Sequence, residues 1–403
     1  MNVVPKSSDP QSDHDATGGN GAMWSASIVL LVAFNLRPML TSVAPLAQEV
    51  GRDLSLPSLG VTVLLTLPVV CLGAFGPLAP PLARRYGIET VLLLSLATMA
   101  LGCGLRLFGR ELLFAGTVLI GAGMSALGVL APTLIKQDFA SKTGLMMGLY
   151  AMLIALGAAA STASSIPLLS SFDESWRLAL VFWVAPVLLT ILVLARRPAP
   201  VGRHDPGISL ARNQAFSSPL AWQVTAFFAL VAALAYAVFS WGPSMLASRG
   251  LNQITSGLYI SFSYFAQMPS GLITPILAAK MRDQRLVASA TVVLTSAGLM
   301  GILFAPTWSL AVFCVILGIG QGGAFGVALL LIVLRSGSPT IAAQLSGLSQ
   351  SIGYIVGGIL GPLCVGIVHD SLGGWAAVAV FYLVLSALSL AVGIAAGRDR
   401  LVS

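Results

Sequence analysis

Apolar residues dominate this chain in long blocks, and the polar positions between them are too sparse to give a helix or strand a wetted face. The blocks run approximately 23–47, 57–79, 88–107, 112–135, 143–167, 176–195, 219–241, 254–278, 286–305, 309–334, 342–368 and 375–396. At about 1.5 Å per helical residue, each is long enough to cross a hydrocarbon layer of about 30 Å. The breaks carry turn and charge signals such as Pro80-Pro81, Arg84-Arg85-Tyr86-Gly87, Ser171-Phe172-Asp173-Glu174 and Gly373-Gly374. The pattern therefore predicts an all-α membrane protein of twelve transmembrane helices. Its longest break, 197–218, is polar and arginine-rich and divides the chain into six-helix bundles at 23–196 and 219–397. Polar tails remain at 1–22 and 398–403, and the Ser, Asp and Gly content of the first predicts a disordered segment.

The two halves share a glycine pattern. Gly121, Gly123 and Gly128 in the fourth block match Gly318, Gly320 and Gly326 in the tenth, and Gly148-Leu149-Tyr150 matches Gly347-Leu348-Ser349. Six helices, a long loop and six more helices with recurring motifs predict two parallel pseudo-repeats about an axis along the membrane normal, the layout of major facilitator transporters.

Composition sharpens this picture. Hydrophobic residues make up 57% and charged residues only 9%, against about 25% charged in soluble domains. Placing both termini in the cytoplasm puts most of the 21 lysines and arginines there and leaves Arg52, Arg106, Arg110, Arg177 and Arg249 outside. The net charge of +7 then reflects topology beside an anionic leaflet and carries no nucleic-acid signal. Cys71, Cys103, Cys314 and Cys364 lie in apolar blocks without metal-ligand spacing, so no metal, disulfide or cofactor is expected. Paired catalytic groups at one depth are missing, which argues against an intramembrane enzyme.

One cation stands at membrane depth. Arg37 lies inside the first block with no acidic residue predicted at that depth to neutralise it. An intramembrane charge costs at least ~2.5–3.5 kcal/mol, so it marks a substrate or ion pathway. A structural role, tying off backbone carbonyls freed at Pro38, is the alternative. Asn35 sits two positions earlier, about 200° around a regular helix, but Pro38 predicts a break that would let both polar groups face one cavity. Thr41 follows one turn later. In the eleventh block Gln350, Tyr354, Gly357 and Gly361 share a face. Tyr150, Tyr236, Trp241, Gln267 and Gln321 complete the expected substrate-binding set, each equally able to make an interhelical hydrogen bond. Lys136 and Asp138 end the fourth helix and Arg335 ends the tenth, where they are expected to pair across the halves as a cytoplasmic gate. A buried guanidinium suits an anion, or a neutral solute with strong acceptors, gripped by two parallel hydrogen bonds.

Several stretches carry a family likeness. Asn35-Leu36-Arg37-Pro38 with Thr41-Ser42-Val43-Ala44-Pro45 resembles the first-helix signature of the cyanate permease and 2-nitroimidazole exporter family within the major facilitator superfamily. Leu134 to Phe139 with Gly144-Leu145-Met146, Ile332 to Ser336, Gln350 to Tyr354, and Gly361-Pro362 with His369-Asp370 are similar to further family motifs. The resemblance spans about 24–396. It implies a monomeric bacterial inner-membrane transporter, both termini cytoplasmic, that moves a small anionic or electronegative heteroaromatic solute by alternating access, with Asn35 and Arg37 at the central cavity. Broader drug or metabolite efflux, or a non-transporting sensor, are the alternatives. The chain departs from the family at Leu127 to Pro132, where relatives carry Gly-Asn before the proline, and at Leu230 to Ala232 in the seventh helix. These departures remove polar cavity groups and count against cyanate itself.

Overall fold

The computed structural model describes residues 12–139, 143–196, 218–337 and 339–402, with side chains described from residue 23 onward except at 133, 136, 137, 143, 144, 147, 339, 340 and 343. Among the described residues the regular structure is helical, apart from one bridge joining Ser336 to Val402. Eleven helices are long and apolar enough to cross a membrane: Met23–Asp53, Ser58–Tyr86, Ile88–Leu105, Gly109–Pro132, Gly148–Ser171, Trp176–Ala195, Pro219–Ala247, Arg285–Phe304, Thr307–Leu334, Gln344–Leu372 and Trp375–Ala396. The twelfth, span eight in chain order, is the helix Gln253–Ala279. It is more polar because its hydroxyls serve packing. Ser261 donates to Gly257 and to the Ala159 carbonyl of span five, and Ser270 donates to the Ile319 carbonyl of span ten. The predicted linker at 197–218 lies outside the described residues except for Ser218. At the other end of the chain, helical conformation extends back to Ser12, into the segment where the sequence predicts a disordered tail, and the membrane-length part begins at Met23.

Span one is a broken rod. It consists of Ser12–Asn35, a single turn Pro38–Thr41, a 3-10 turn Ala44–Leu46 and the helix Ala47–Asp53. Pro38 and Pro45 cause the breaks, since neither can donate to the turn before it. The carbonyls left over find donors elsewhere. Met39 O accepts from Arg106 at 3.0 Å, Thr41 O from Thr162 at 3.4 Å and Ser42 O from Ser165 at 3.1 Å. The Phe34 carbonyl, which lacks a donor at Pro38, lies against Gly157, where a Cβ would come within 2.4 Å of it. Span one also runs farther than the sequence suggests, to Asp53, which brings Glu49 to its far end.

The repeated glycines do the same work in each half. A Cβ at Gly121 would strike Cys71 and Pro68 of span two, and one at Gly123 would strike Met99 and the Ser95 carbonyl of span three. Gly318 meets the Ser263 carbonyl of span eight, and Gly320 the Thr295 nitrogen of span nine. In both halves the first glycine admits the second helix and the next admits the third. Span seven is the most enclosed element, with 94% of its apolar window buried.

The last residues are docked and do not form a free tail. Arg335, only 3% exposed, donates to the Ala396 and Gly397 carbonyls at the end of span twelve and to Gln284. Val402 donates its backbone N–H to Arg335 O at 2.7 Å and is itself buried. Burial pulls the Arg335 guanidinium below its ordinary pKa while Asp399 and Asp283 pull the other way, and an arginine in such a setting stays charged.

The close approach at Gly318 makes a stability prediction. A Cβ there would lie 2.1 Å from the Ser263 carbonyl oxygen, whereas nothing lies within 4 Å of one at Gly128. Gly318→Ala is therefore expected to cost about 1–3 kcal/mol through forced separation of the helices. Gly128→Ala should leave the thermal unfolding midpoint of the purified protein unchanged or slightly raised. Equal midpoints for the two variants would contradict this packing.

Candidate functional site

Arg37 caps the short turn Pro38–Thr41, with φ −122° and ψ −36°. The break swings its side chain out of the first half and into the second. Nη1 donates to the Tyr236 hydroxyl at 2.9 Å, and the guanidinium carbon lies 5.1 Å from the Tyr236 ring centroid and 5.0 Å from that of Phe239. Tyr236 and Phe239 are three positions apart on span seven, so they present one face to the cation. Among the described residues no ion pair to Arg37 is formed. Two ring faces and one phenol take its place, and a desolvated cation–π contact contributes about 2 kcal/mol or more. Part of the Arg37 side chain stays accessible although Leu36 and Pro38 on either side are buried.

The aromatic wall is continuous. Ring centroids follow one another from Phe325 to Phe228 at 5.5 Å, Phe228 to Tyr354 at 5.3 Å, Tyr354 to Tyr236 at 6.0 Å, Tyr236 to Phe239 at 5.4 Å and Phe239 to Tyr264 at 5.2 Å. The chain of rings draws on spans seven, eight, ten and eleven, all in the second half. Tyr354 and Tyr264 lie close enough to Arg37 to interact electrostatically, and so does Tyr150 from the first half. Gly353, Gly357 and Gly361 seat span eleven on Phe228, Ala232 and Ala233 of span seven, which fixes Tyr354 beside Tyr236.

Of the predicted site residues, Arg37, Tyr150, Tyr236 and Tyr354 come together. Asn35 does not join them. Its amide donates to Leu31 O at 2.8 Å, to Pro186 O at 3.2 Å and to Thr190 Oγ1 at 2.8 Å, so it faces span six. The helix stays regular up to Asn35 and breaks only after it, so the expected single cavity face is not made. Thr41 bonds Ser161 at 2.6 Å and its own turn, which ties span one to span five. Trp241 donates to Pro362 O at 2.9 Å and packs with His369 and Trp375 at the end away from the termini. Gln321, 2% exposed, donates to Leu234 O at 3.2 Å and accepts from Gln267 at 3.4 Å, joining spans seven, eight and ten. Gln350 donates to Ser346 on its own helix at 2.8 Å. Phe239 escaped the sequence reading because an apolar ring in an apolar helix carries no signal by itself. The only hint was its spacing from Tyr236.

Of the expected gate residues, Arg335 turns into its own half. Arg335 spends its donors on the C-terminal carbonyls of span twelve, which have no N–H donors within their own helix. Asp399 lies 3.8 Å from it in the same half, and Asp283 also acts on its charge. Asp138 is exposed, and the Lys136 side chain lies outside those described. At the opposite end, side-chain hydrogen bonds cross between the halves. Glu49 Oε1 accepts from Gln253 at 2.7 Å, and Ser58 donates to Asp370, which also contacts His369.

Comparison with known proteins places this geometry. Residues 23–358 match the Major Facilitator Superfamily. The chain is 33% identical over 384 residues to the 2-nitroimidazole transporter of Escherichia coli (strain K12), covering 92% of this chain and 95% of that one. It is 28% identical over 335 residues to the cyanate transport protein CynX of the same organism, covering 82% and 86%. Among solved structures, a bacterial homologue of the human lysosomal transporter Spinster in an inward-facing, unoccupied conformation superposes with a TM-score of 0.73 at 16% identity, covering 98% of each chain.

The contacts of Asn35 predict a stability effect of their own. Asn35→Leu removes the donor shared by Pro186 and Thr190 and is expected to cost about 1–3 kcal/mol. An unchanged thermal midpoint would instead return Asn35 to the cavity.

Proposed function

This chain belongs to the Major Facilitator Superfamily, and from that premise we propose that it carries a small anionic or electronegative heteroaromatic solute across the membrane by alternating access, with Arg37 as the central ligand. It is a multi-pass transporter. The solute class rests on one observation above others: the Arg37 guanidinium reaches the seam between the halves, bonded to a phenol and without an ion pair to a carboxylate among the described residues. Guanidinium carries five N–H donors, and Tyr236 takes one. The remaining edge suits a carboxylate, nitro or cyanate-like group, which accepts two parallel hydrogen bonds. The rings of Tyr236, Phe239 and Tyr354 offer faces to a planar molecule. The names of the 2-nitroimidazole and cyanate relatives support the same class, and the aromatic wall favours a flat heteroaromatic over the smaller cyanate.

The position of Arg37 supports alternating access. It belongs to the first half while its contacts belong to the second, so a solute that competes for the guanidinium alters the contact that joins the halves. The bonds Glu49 to Gln253 and Ser58 to Asp370 support closure at the end away from the termini. We place the termini and the 197–218 loop in the cytoplasm of a bacterial inner membrane, on the asymmetry of basic residues, with a single chain as the working unit. Uptake and export are equally compatible with this arrangement.

Two experiments test the reading. Binding of 2-nitroimidazole and of cyanate to purified protein, measured by calorimetry, is expected to weaken at least about tenfold in both Arg37→Lys and Arg37→Ala, because lysine keeps the charge and loses the fork. Tyr236→Phe keeps the ring and should weaken binding less. Undiminished affinity in Arg37→Ala would remove Arg37 from the site. Reporter tags at either terminus or inside 197–218 should read cytoplasmic in cells, and a periplasmic signal from the loop would overturn the two-bundle topology.

A further inference from the structure

A second arginine is buried in the first half. Arg106 directly follows the last helical residue of span three, in the position a sequence reading assigns to the outer surface, yet its side chain turns inward and is 1% exposed. It is the largest of the fully buried side chains. Among the described residues no ion pair to it is formed. A charge in that position persists only if its donors are matched by acceptors. Nε and Nη2 grip the Thr117 hydroxyl oxygen at 3.3 and 3.1 Å, and Nη1 reaches Met39 O at 3.0 Å. Thr117 commits its own proton to Leu113 O at 2.7 Å, so its oxygen is left as a pure acceptor facing the guanidinium.

Met39 is the point of interest. It lies in the single turn Pro38–Thr41, two residues after Arg37, between the two breaks of span one. One turn of helix cannot fix its own orientation, because nucleating a turn is unfavourable without outside contacts. Those contacts are Arg106 on Met39 O, Ser161 on the Thr41 hydroxyl, and Thr162 and Ser165 on the carbonyls of Thr41 and Ser42. Arg106 alone among them is charged and comes from span three; the others come from span five. Arg37 is the cap of this turn and its carbonyl accepts from Leu40 and Thr41, so the direction of its side chain follows the turn.

We propose that Arg106 is a positioning residue for solute recognition: through Met39 O and Thr117 it holds the broken segment of span one in the orientation that aims Arg37 at the solute. This rests on Arg37 being the solute ligand. Since Arg106, Thr117 and Met39 belong to the same half, the support travels with Arg37 as the halves move. Recognition geometry is thereby separated from the contact with Tyr236 and Phe239 that changes during transport. A misplacement of about 1 Å in such a ligand is enough to cost on the order of a hundredfold in a step that depends on it.

The test compares full-length wild type, Arg106→Lys, Thr117→Val, Arg37→Lys and the double variant Arg106→Lys/Arg37→Lys, purified in detergent. Hydrogen–deuterium exchange of the peptide covering 34–46 is read without any solute, and 2-nitroimidazole affinity is read by calorimetry. In Arg106→Lys, exchange across 34–46 should rise while the other spans exchange as in wild type, and affinity should fall about tenfold. Thr117→Val, which keeps the charge and the Met39 bond, should move both readouts in the same direction by less. On the Arg37→Lys background, Arg106→Lys should cost no further affinity, because both act through one ligand. Wild-type exchange in Arg106→Lys overturns the proposal, whatever the solute. So does an affinity loss that adds fully to that of Arg37→Lys, which would mark Arg106 as general packing. Should Arg37→Lys bind as wild type, the central-site reading fails instead, and the exchange of 34–46 still reports whether Arg106 holds the turn.

Discussion

A positive charge from one half of the molecule, held between aromatic rings of the other, is the constraint on which the rest of the structure turns. Arg37 has no carboxylate to neutralise it in the described structure, and the environment offers a phenol and two ring faces instead. A salt bridge would satisfy the cation in the resting protein and leave little for a solute to gain. Rings and a neutral hydroxyl stabilise the charge partially, which lowers the cost of burial while leaving strong donors for an acceptor. The same economy explains why the wall around Arg37 is built from Tyr236, Phe239 and Tyr354 rather than from amides, and why the amides Gln321 and Gln267 are turned toward helix packing.

Delivering that charge to the seam requires a broken helix, and a broken helix in a membrane requires donors for its stranded carbonyls. Span one meets this requirement from two sides, with Arg106 at Met39 and the hydroxyls of Thr162 and Ser165 at Thr41 and Ser42. Arg106 ties the Met39 carbonyl, while the side chain of Arg37 bonds the Tyr236 hydroxyl. The two arginines thus have different partners, backbone and hydroxyl oxygens for Arg106 and a phenol with two ring faces for Arg37. The second half places an arginine differently, in the loop just beyond span seven. Arg249 donates to the carbonyls of Leu303 and Ala305 at the end of span nine, where no broken segment needs support.

The fold was legible because its signals are long and redundant. Block length, glycine pairs and the distribution of basic residues each point to the twelve-helix repeat, and Gly121 and Gly318, with Gly123 and Gly320, make equivalent contacts in the two halves. The site was less legible because it depends on direction. Sequence spacing separates Asn35 from Arg37 by about 200°, and Pro38 raised the expectation that the break would bring them together. The break falls after Asn35, so Asn35 keeps its place on the regular helix and bonds span six. Arg106 was read as exterior because its Cα ends span three, yet the side chain is long enough to reach back inside. The end of span ten predicts a gate role for Arg335 but says nothing of the free carbonyls of span twelve that it bonds.

Two side-chain bonds between the halves lie at the end away from the termini. Glu49 with Gln253, and Ser58 with Asp370, hold the end away from the termini, while Arg335 at the other end is committed to its own half. Arg37 lies between these two ends and is the cationic link between halves at that depth. A solute that draws the guanidinium off the Tyr236 and Phe239 rings removes a contact specific to this arrangement, and a ligand shifts a conformational equilibrium only through such a difference between states. The free energy available to drive the change is then bounded by what the guanidinium gains from the solute beyond what it held with the rings. On the proposed role of Arg106, aiming Arg37 through Met39 would enlarge that margin, because a ligand already in place loses less order on binding.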